Sequence, residues 1–327
     1  MQLLVTGGCG FIGSHVVIEL LKQYPNYHII NIDALTYAAN KNHLKDIENH
    51  PNYTFIEGSI TNFTLVSDLF KKYKFNGVIH LAAESHVDNS ITKPSVFIET
   101  NINGTFNLLE CAKNMCDKKF RFLHVSTDEV YGSLGKEGVF VETTPYAPNS
   151  PYSASKASSD FLVRSYNKTF GLNTVITNCS NNYGPHQHDE KLIPTIIRNA
   201  LSGNPIPIYG DGQNIRDWLY VTDHYCGIDL AFHKGKAGET YNIGGKNEQT
   251  NLDIANTICN LLDQYNPQAT SYKKLITFVE DRAGHDRRYA IDATKIKTQL
   301  NWNASHTFNN GLEKTVEWYV RYYKHIS

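Results

Sequence analysis

Short apolar segments alternate with amphipathic segments over the first half of the chain. The apolar segments predict strands at Gln2–Thr6, His28–Asp33, Thr54–Glu57, Gly77–Ala82, Phe120–Thr127 and Asn173–Asn178. Several are apolar at nearly every position, which is typical of strands buried on both faces of a parallel sheet. The amphipathic segments predict helices at Ser14–Tyr24, Phe63–Tyr73, Ser95–Met115 and Ser153–Phe170. This alternation predicts right-handed βαβ connections in a doubly wound α/β sheet, with Thr61 capping the second helix and Pro94 beginning the third.

From about residue 181 the pattern becomes less regular. Loops that contain Gly and Pro interrupt short elements, and helices are predicted at Leu192–Ser202, Leu252–Tyr265 and Asn310–Tyr322. We interpret this part as a smaller α/β lobe, with some of the chain returning to the main sheet near Asp217–Phe232. The predicted division assigns residues 1–180 and about 211–235 to the larger domain, and residues 181–210 and about 236–327 to the lobe.

The composition limits the classes of partner and compartment. Lys and Arg number 31 against 32 Asp and Glu, so the net charge of −1 gives no reason to expect nucleic acid or an acidic membrane. No apolar stretch reaches the ~18 residues of a membrane span, and a first strand beginning at Gln2 leaves no room for a signal peptide. The six cysteines lack zinc-ligand and CxxC spacing, and the 14 histidines form no evident ligand set. We therefore expect reduced thiols, no metal and a cytoplasmic protein.

The first strand leads directly into a glycine-rich turn, Gly7-Gly8-Cys9-Gly10-Phe11-Ile12-Gly13, and then into a predicted helix. Glycines at positions 7, 10 and 13 let the backbone and the helix N-terminus approach a pyrophosphate. The second strand ends at Asp33, about 20 residues after Gly13, where the acid of a Rossmann unit holds the adenosine ribose hydroxyls. A carboxylate there repels a 2′-phosphate, so the pattern predicts NAD rather than NADP.

Tyr152 and Lys156 are four residues apart at the start of a predicted helix, so their side chains share one face. A cation stabilises a phenolate and lowers the tyrosine pKa from about 10 toward neutrality. A tyrosinate beside a nicotinamide can accept the proton of an alcohol while hydride leaves its carbon. YxxxK pairs also occur by chance on helix surfaces, but the position of this one after the fifth strand favours catalysis.

The fifth strand ends in Ser126-Thr127-Asp128-Glu129-Val130-Tyr131-Gly132, and ligands bind at the carboxyl ends of strands in such sheets. Two adjacent acids are more than an alcohol dehydrogenase requires. Oxidation of a sugar at C4 acidifies the proton on C5, so a neighbouring base and acid can eliminate the hydroxyl on C6. The sequence therefore predicts a catalytic set composed of Thr127, Asp128, Glu129, Tyr152 and Lys156.

Together these motifs resemble those of the nucleotide-sugar 4,6-dehydratases, a family of extended short-chain dehydrogenase/reductases. The resemblance covers nearly the whole chain, and its most specific motifs are STDEVYG at 126–132, IRDWLY at 215–220 and GHDRRY at 284–289. It implies conversion of a nucleoside-diphosphate glucose, dTDP-glucose or alternatively UDP-glucose, to the 4-keto-6-deoxy sugar with loss of water. It also implies bound NAD and a homodimer built from the Ser95–Met115 and Ser153–Phe170 helices.

The resemblance implies a role for each catalytic residue. Tyr152 deprotonates the 4-hydroxyl, Thr127 shares that hydrogen bond, and Lys156 tunes Tyr152 and holds the nicotinamide ribose. Glu129 removes the C5 proton, and Asp128 protonates the departing 6-hydroxyl. NAD takes the C4 hydride and returns it to C6, so no external reductant is consumed.

Two further sets of contacts follow from the same resemblance. The cofactor contacts are Gly7, Gly10, Phe11, Ile12, Gly13, Asp33, Leu35, Thr36, Ser59, Ile60, Leu81, Ala82, Ala83, Thr100, Tyr152, Lys156 and Asn182. The substrate contacts are Ser85, Thr127, Asn181, Lys191, Leu192, Pro207, Tyr209, Arg216, Asn251, Arg282 and His285. The two arginines suit a diphosphate, and the tyrosine at position 209 suits stacking on a pyrimidine.

Two positions depart from the family pattern. Ser59 stands where an acid that faces the adenine amino group is usual, which weakens one expected adenine contact. Asn89 replaces an arginine that is common in the bacterial dTDP-glucose enzymes. The segment around it, His86-Val87-Asp88-Asn89-Ser90, is similar to that of the UDP-glucose 4,6-dehydratases, so UDP-glucose remains an alternative substrate.

Two other functions fit parts of the pattern. A UDP-sugar 4-epimerase shares Tyr152 and Lys156 but lacks the acid pair at Asp128 and Glu129, because it expels no hydroxyl. An NAD-binding sensor without catalysis keeps the glycine turn and Asp33 but loses the tyrosine, the lysine or the acids. The presence of all these residues favours the dehydratase.

Overall fold

The structure is a computed structural model that describes residues 1–281 and 286–326. Its strands, in chain order, are β1 (Gln2–Thr6), β2 (His28–Asp33), β3 (Tyr53–Glu57), β4 (Gly77–His80), β5 (Arg121–Thr127), β6 (Thr174–Cys179), β7 (Asn181–Tyr183), β8 (Ile206–Tyr209), β9 (Ile215–Tyr220), β10 (Thr240–Ile243), β11 (Glu248–Thr250) and β12 (Ile276–Val279). Its α-helices are α1 (Phe11–Gln23), α2 (Phe63–Tyr73), α3 (Val87–Thr92), α4 (Pro94–Phe97), α5 (Gly104–Met115), α6 (Pro151–Phe170), α7 (Leu192–Leu201), α8 (Val221–Lys234), α9 (Asn251–Tyr265), α10 (Thr294–Leu300) and α11 (Phe308–Ile326).

The central sheet is parallel, with the strand order β10-β6-β5-β4-β1-β2-β3. Strands β4 and β6 are buried along their whole length, because helices cover both faces of the sheet. The order of the strands reverses between β1 and β4, and ligands bind at such a switch point in open α/β sheets. The predicted doubly wound Rossmann sheet is confirmed.

An apolar core lies on each face of this sheet. Helices α1, α8 and α10 cover one face with side chains such as Leu20, Phe232 and Ile296. Helices α2, α5 and α6 cover the other face with side chains such as Leu108 and Val163. These helices fix the carboxyl ends of the strands, where the glycine turn and the catalytic set are located.

A third core holds together a smaller α/β lobe, as the sequence predicts. Helices α7, α9 and α11 bury Ile196, Ile258 and Leu312 against one another. Strands β8 and β12 form a parallel pair, and β11, β9 and β7 form a second small sheet. This lobe lies beside the carboxyl ends of the main sheet, because β7 follows directly after β6.

Local hydrogen bonds change two of the predicted helix details. Asn62, rather than Thr61, caps α2 and accepts the Leu65 N–H at 3.1 Å, whereas the Thr61 hydroxyl pairs with that of Ser59 at 2.8 Å. The third helix begins at Pro94 as predicted, but a π-helical segment at Ile98–Asn103 separates α4 from α5. Such segments are rare and occur frequently at functional sites.

The chain near Asp217–Phe232 returns to the main sheet through helix α8 and not through strand β9. Strand β9 pairs with β7 and β11 in the small sheet, whereas α8, which follows it, packs on the main sheet. Strand β10, from the segment assigned to the lobe, instead extends the main sheet beside β6. The buried Asp217 carboxylate accepts the N–H groups of Gly245 at 3.0 Å and Asn247 at 2.6 Å. These bonds hold β9 against the segment that follows β10, which keeps β9 out of the main sheet.

Candidate active site

A deep cleft lies at the carboxyl ends of β1, β2, β4, β5 and β6 and continues to the segment after β7 in the smaller lobe. All five residues of the predicted catalytic set line it. The predicted cofactor contacts also line it, with the exception of Leu35. The side chain of Leu35 packs against the core that contains α1, and its backbone N–H reaches Asp33.

The glycine turn has the geometry that close approach of a ligand requires. Gly7 has a φ of +74°, and a Cβ on it would lie 2.8 Å from the backbone N and Cα of Ala82. A Cβ on Gly13 would collide with the carbonyl oxygen of Gly7. Helix α1 follows with Gly10 as a cap that offers no side-chain acceptor. The N–H groups of the first turn are therefore directed to bind an anion.

Asp33 braces the glycine turn from the end of β2. Its Oδ2 accepts the Cys9 N–H and its Oδ1 accepts the Leu35 N–H, both at 2.8 Å. Burial raises the pKa of Asp33, and the two backbone hydrogen bonds oppose that shift. Each carboxylate oxygen keeps a second acceptor site, so the side chain suits the two hydroxyls of a ribose.

Asn101 connects the loop after β4 to the helix that carries Tyr152. Its Oδ1 accepts the Glu84 N–H at 2.8 Å, and its Nδ2 donates to the Glu84 carbonyl at 3.0 Å and to Ser155 Oγ at 2.8 Å. Asn101 lies in the π-helical segment next to Thr100, which lines the cleft. The π-helical segment therefore places the Thr100 side chain in the cleft wall. It places the next side chain, Asn101, in buried hydrogen bonds between the loop after β4 and α6.

The catalytic set meets where β5 ends against the first turn of α6. The Thr127 hydroxyl donates to Asp128 Oδ1 at 3.4 Å, accepts the Glu129 N–H at 3.3 Å and is hydrogen-bonded to the Tyr152 phenol. Asp128 is 1% exposed and Tyr152 is 9% exposed. Asp128 and Tyr152 are therefore buried on either side of a single hydroxyl, and Glu129, which is partly buried, joins them through its backbone N–H.

Burial gives Asp128 the properties of an acid. It raises the pKa of Asp128 well above its usual range, and the Glu129 and Asp217 carboxylates raise it further, against the opposing charge of Arg216. The raised pKa favours the protonated form of Asp128, which can donate its proton. Its Oδ2 is buried and has no hydrogen-bond partner within the part of the chain that the structure describes, so this oxygen suits a ligand hydroxyl.

The Tyr152 phenol also retains its proton in this environment. Burial and the Glu129 carboxylate raise the pKa of Tyr152 well above its usual range, whereas the hydrogen bond with Thr127 lowers it. A positive charge beside the ring is needed before Tyr152 can act as a base. Lys156, one helical turn further along α6, is the cation nearest in sequence.

The Lys156 side chain is hydrogen-bonded to strand β5. Its ammonium donates to the Val125 carbonyl at 2.9 Å and lies 3.4 Å from His124 Nε2. Burial lowers the pKa of Lys156 to about 8, and the Asp160 carboxylate opposes that shift. The pKa of Asp160 is itself raised by burial to about 7. Lysine, histidine and aspartate thus form a buried polar layer beneath the catalytic tyrosine.

Sequence reasoning missed three members of this site. Asp160 follows Lys156 by four residues on one helix, and that spacing could have identified it. His124 lies within a strand, and Asn101 within a helix, so neither differs in pattern from an ordinary core residue. Only the packing of α6 on β5 and on the π-helical segment reveals their contacts.

The predicted substrate contacts are divided between the cleft and its surroundings. Ser85, Thr127, Asn181 and Lys191 line the cleft. Outside its lining lie Leu192, Pro207, Tyr209, Arg216 and Asn251. Arg282 and His285 lie outside the described residues.

Arg216 lies beyond the cleft lining, between the catalytic acids and β11. Its guanidinium stacks on the Tyr289 ring with 4.5 Å between Cζ and the ring centroid, and it donates to the Asp286 carbonyl at 2.8 Å. Leu192 packs in the core of the lobe, and Tyr209 is 43% exposed on β8. The structure thus places a cation and an exposed aromatic ring on the lobe side of the acids.

The described residues contain neither a metal cluster nor a membrane-spanning helix. Within 1–281 and 286–326, no group of three or more His, Cys, Asp or Glu side chains has an arrangement that could hold a metal ion. Over that part of the chain, no helix has both the length and the apolar character needed to cross a bilayer. The six cysteines are free thiols.

Comparison with known proteins assigns the chain to a family. A family model described as GDP-mannose 4,6 dehydratase matches residues 4–315. A dTDP-glucose 4,6-dehydratase of Salmonella typhimurium is 55% identical, over 98% of this chain and 93% of that protein. The crystal structure of a dTDP-glucose 4,6-dehydratase from Bacillus anthracis in complex with NAD is 50% identical, with a TM-score of 0.90 over 98% of this chain and 97% of that one.

A more distant enzyme class shares the fold. The crystal structure of a UDP-glucose 4-epimerase from Thermotoga maritima with UDP-glucose is 30% identical, with a TM-score of 0.88 over 99% of this chain and all of that one. The fold therefore does not separate dehydratase from epimerase, whereas the sequence identity does. The family expected from the motifs is confirmed. The chain belongs to the nucleotide-sugar 4,6-dehydratases, within the extended short-chain dehydrogenase/reductases.

Proposed function

We propose that this chain is an NAD-dependent hydro-lyase that converts dTDP-glucose to dTDP-4-keto-6-deoxyglucose and water. The observation that carries the proposal is the convergence of Asp128, Glu129 and Tyr152 around the Thr127 hydroxyl, in the same cleft as the glycine turn. A simple oxidation requires the tyrosine but not the two acids. The 55% identity to a protein named dTDP-glucose 4,6-dehydratase supports the same reaction and nucleotide.

The chain has the residues needed to hold NAD. The turn at Gly7 leaves no room for a side chain, α1 directs N–H groups to a pyrophosphate, and Asp33 keeps acceptor sites for ribose hydroxyls. Ser59 lines the adenine side of the cleft, where its hydroxyl bonds to Thr61 rather than presenting a charge. When bound, NAD supplies a hydride acceptor beside the sugar C4 and later a hydride donor to C6.

Tyr152 and Lys156 act on the 4-hydroxyl. The positive charges of Lys156 and of the nicotinamide stabilise the phenolate of Tyr152, which offsets the effect of burial on its pKa. The phenolate accepts the O4 proton while C4 is oxidised, and Thr127 holds the oxygen through its own hydroxyl. Lys156, whose ammonium donates to the Val125 carbonyl, would hold the nicotinamide ribose when NAD is bound.

The two acids remove water from the oxidised sugar. The carbonyl at C4 acidifies the C5 proton, which Glu129 accepts. Asp128, whose raised pKa favours its protonated form, gives its proton to the departing 6-hydroxyl. Glu129 then returns a proton to C5 as C6 receives its hydride. The unpartnered Oδ2 of Asp128 is the oxygen that suits the contact with O6.

The two lobes divide the ligands between them in this proposal. Residues 1–180 and about 211–235 bind NAD, and the remaining segments bind the nucleotide end of the substrate. Ser85, Asn181 and Lys191, which line the cleft, contact the sugar and its phosphate. Arg216 binds the diphosphate, and Tyr209 stacks on the pyrimidine. We also assign sugar or nucleotide contacts to Leu192, Pro207 and Asn251, and to two residues outside the described ranges, Arg282 and His285.

A homodimer and a cytoplasmic location complete the proposal. Ile98 is 52% exposed, Phe106 is 43% exposed and Phe161 is 58% exposed, and these apolar side chains lie on the adjoining α4–α5 and α6 helices. A second copy of the chain that packs the same helices against them would bury this surface in a four-helix arrangement. The free thiols are compatible with a reducing compartment.

The product distinguishes this function from its rivals. Incubation of the NAD-bound protein with dTDP-glucose is expected to give a product lighter by one water, without accumulation of reduced nicotinamide. A product of unchanged mass with inverted C4 would identify a 4-epimerase instead. UDP-glucose assayed in parallel tests the nucleotide, and a kcat/KM higher than that for dTDP-glucose would replace dTDP with UDP. Asp128→Asn is the matched control, because it removes the acid while preserving the side-chain shape.

A further inference from the structure

The proposed reaction leaves its catalytic groups in a different protonation state from the one in which it begins. Tyr152 gains the O4 proton, and Asp128 loses a proton to the departing water. Glu129 takes a proton from C5 and returns one to C5, so its state is unchanged. After each turnover one proton must therefore move from Tyr152 to Asp128 before another substrate can react.

Thr127 connects these two groups. Its hydroxyl is hydrogen-bonded to the Tyr152 phenol and donates to Asp128 Oδ1 at 3.4 Å. The Glu129 N–H donates to the same Thr127 oxygen at 3.3 Å, which leaves the hydroxyl hydrogen directed at Asp128. A chain of donors thus runs from the phenol through the hydroxyl to the carboxylate.

Solvent has little access to this series of hydrogen bonds. Thr127 is 8% exposed, and the two groups that it connects are no more exposed than about a tenth of their surface. Among the described residues, Thr127 supplies the hydrogen bond that Asp128 Oδ1 accepts, whereas Oδ2 has no partner and suits the sugar. The side of Asp128 that faces the substrate is therefore separate from the side that faces Tyr152.

We propose that Thr127 returns the proton from Tyr152 to Asp128 between turnovers, an inference that rests on the proposed function. As the Tyr152 O–H bond breaks, its proton bonds to Thr127 Oγ, and the Thr127 hydroxyl proton bonds to Asp128 Oδ1. The step ends with a phenolate and a carboxylic acid whose proton is on Oδ1. Rotation of the carboxyl group about its Cβ–Cγ bond then turns this proton toward the sugar, which restores the state that begins the next cycle. The proton transfer needs no co-reactant, because the proton lost by one group is gained by the other.

Two kinetic regimes separate this step from the chemistry on the sugar. We call the return of the proton from Tyr152 to Asp128 the reset. With NAD-bound enzyme in excess over dTDP-glucose, each site reacts once, and the rate constant of product formation does not include the reset. With dTDP-glucose in excess, kcat includes it. The difference between the reciprocal of kcat and the reciprocal of the single-turnover rate constant is the time spent after product formation. A change in this time between variants measures the reset, even where loss of the Thr127 hydroxyl also slows the first proton transfer.

Thr127→Val removes the hydroxyl and keeps the side-chain shape, whereas Thr127→Ser keeps the hydroxyl. We expect this time to rise roughly tenfold or more in Thr127→Val, since a positioned acid–base group contributes at least about 100-fold to a proton transfer. Thr127→Ser is expected to retain the wild-type time. Thr127→Ala, with less steric demand, gives the same comparison if the valine variant does not fold.

The outcomes distinguish the inference from the function on which it rests. If the time spent after product formation does not rise in Thr127→Val or Thr127→Ala, while the wild-type protein still forms the dehydrated product, the proton return is overturned and the proposed function stands. A wild-type protein that releases no water from dTDP-glucose or UDP-glucose overturns the function itself, and the proton return with it.

Discussion

The carboxylate of Asp160 lies 3.2 Å from His124 Nε2, in the layer directly beneath Lys156. It also accepts hydrogen bonds from Ser126 Oγ at 2.9 Å and from Tyr146 OH at 3.0 Å. Because burial favours the neutral amine of Lys156, the negative charge of Asp160 is what opposes loss of the lysine proton. Asp160 is therefore a positioning residue that helps to keep Lys156 charged near neutral pH.

Replacing Asp160 with Asn should change the pH dependence of activity. Without the carboxylate, the pKa of Lys156 falls below its value of about 8. Activity that needs charged Lys156 is present below that pKa and lost as pH rises through it, so the alkaline limb moves to lower pH. We expect a shift of roughly one pH unit in kcat/KM. Asp229→Asn, at a buried carboxylate bonded to Tyr24, is the matched control and should not move the limb. An unmoved limb in Asp160→Asn contradicts this role.

Replacing Glu129 with Gln should stop the reaction after oxidation at C4. The amide keeps the size of the side chain but cannot accept the C5 proton, so dehydration slows by at least about 100-fold. Reduced nicotinamide should then accumulate on the enzyme and become visible by its near-ultraviolet absorbance after addition of dTDP-glucose. Dehydration at the normal rate would show that another group is the C5 base.

Replacing Tyr152 with Phe should abolish both oxidation and dehydration. The variant loses the phenolate that accepts the O4 proton, while the aromatic ring continues to fill its buried site. Rapid-scan absorbance should show no reduced nicotinamide, in contrast to Glu129→Gln, and bound NAD should be retained. Reduction of the nicotinamide in Tyr152→Phe would assign the base to a different residue.

Replacing Gly7 with Ala should prevent cofactor binding. The new Cβ would lie 2.8 Å from the backbone of Ala82, in a left-handed conformation that disfavours any side chain. Gly171→Ala is the matched control, because Gly171 has a similar φ of +71° and no atom within 4 Å of the added Cβ. We expect the control to lose about 1–2 kcal/mol of unfolding free energy but to bind NAD normally. Equal loss of NAD binding in both variants, measured by titration, would contradict the steric account.

Replacing Phe161 with Glu should convert the dimer to monomers. The side chain is 58% exposed on α6, and a buried charge there would oppose association of two copies. Phe278→Glu is the control, because Phe278 has a similar exposure of 56% but lies on β12, in the smaller lobe. Sedimentation equilibrium should give half the wild-type mass for Phe161→Glu alone. A wild-type protein that sediments as a monomer would refute the proposed interface.

Much of the fold follows from local patterns. The strand ending at Asp33, the helix at Phe63–Tyr73 and the helix beginning at Pro94 lie where periodicity and capping residues predict them. The choice of Asn62 over Thr61 as a cap is the kind of detail that pattern does not decide, because both residues can accept the same bond. Strand β10 was missed as a member of the main sheet, since a short edge strand resembles any other apolar segment.

By itself, the sequence determined which chemical groups are present and at what spacing: the glycine turn, the acid at Asp33, the YxxxK pair and the two adjacent carboxyls. The tertiary structure decided which groups meet and how strongly each holds its proton. Thr127 and Tyr152 are neighbours only because α6 packs on β5, and Asp128 is an acid only because that packing buries it. Periodicity and spacing are properties of contiguous residues, whereas desolvation and contact depend on segments far apart in the chain.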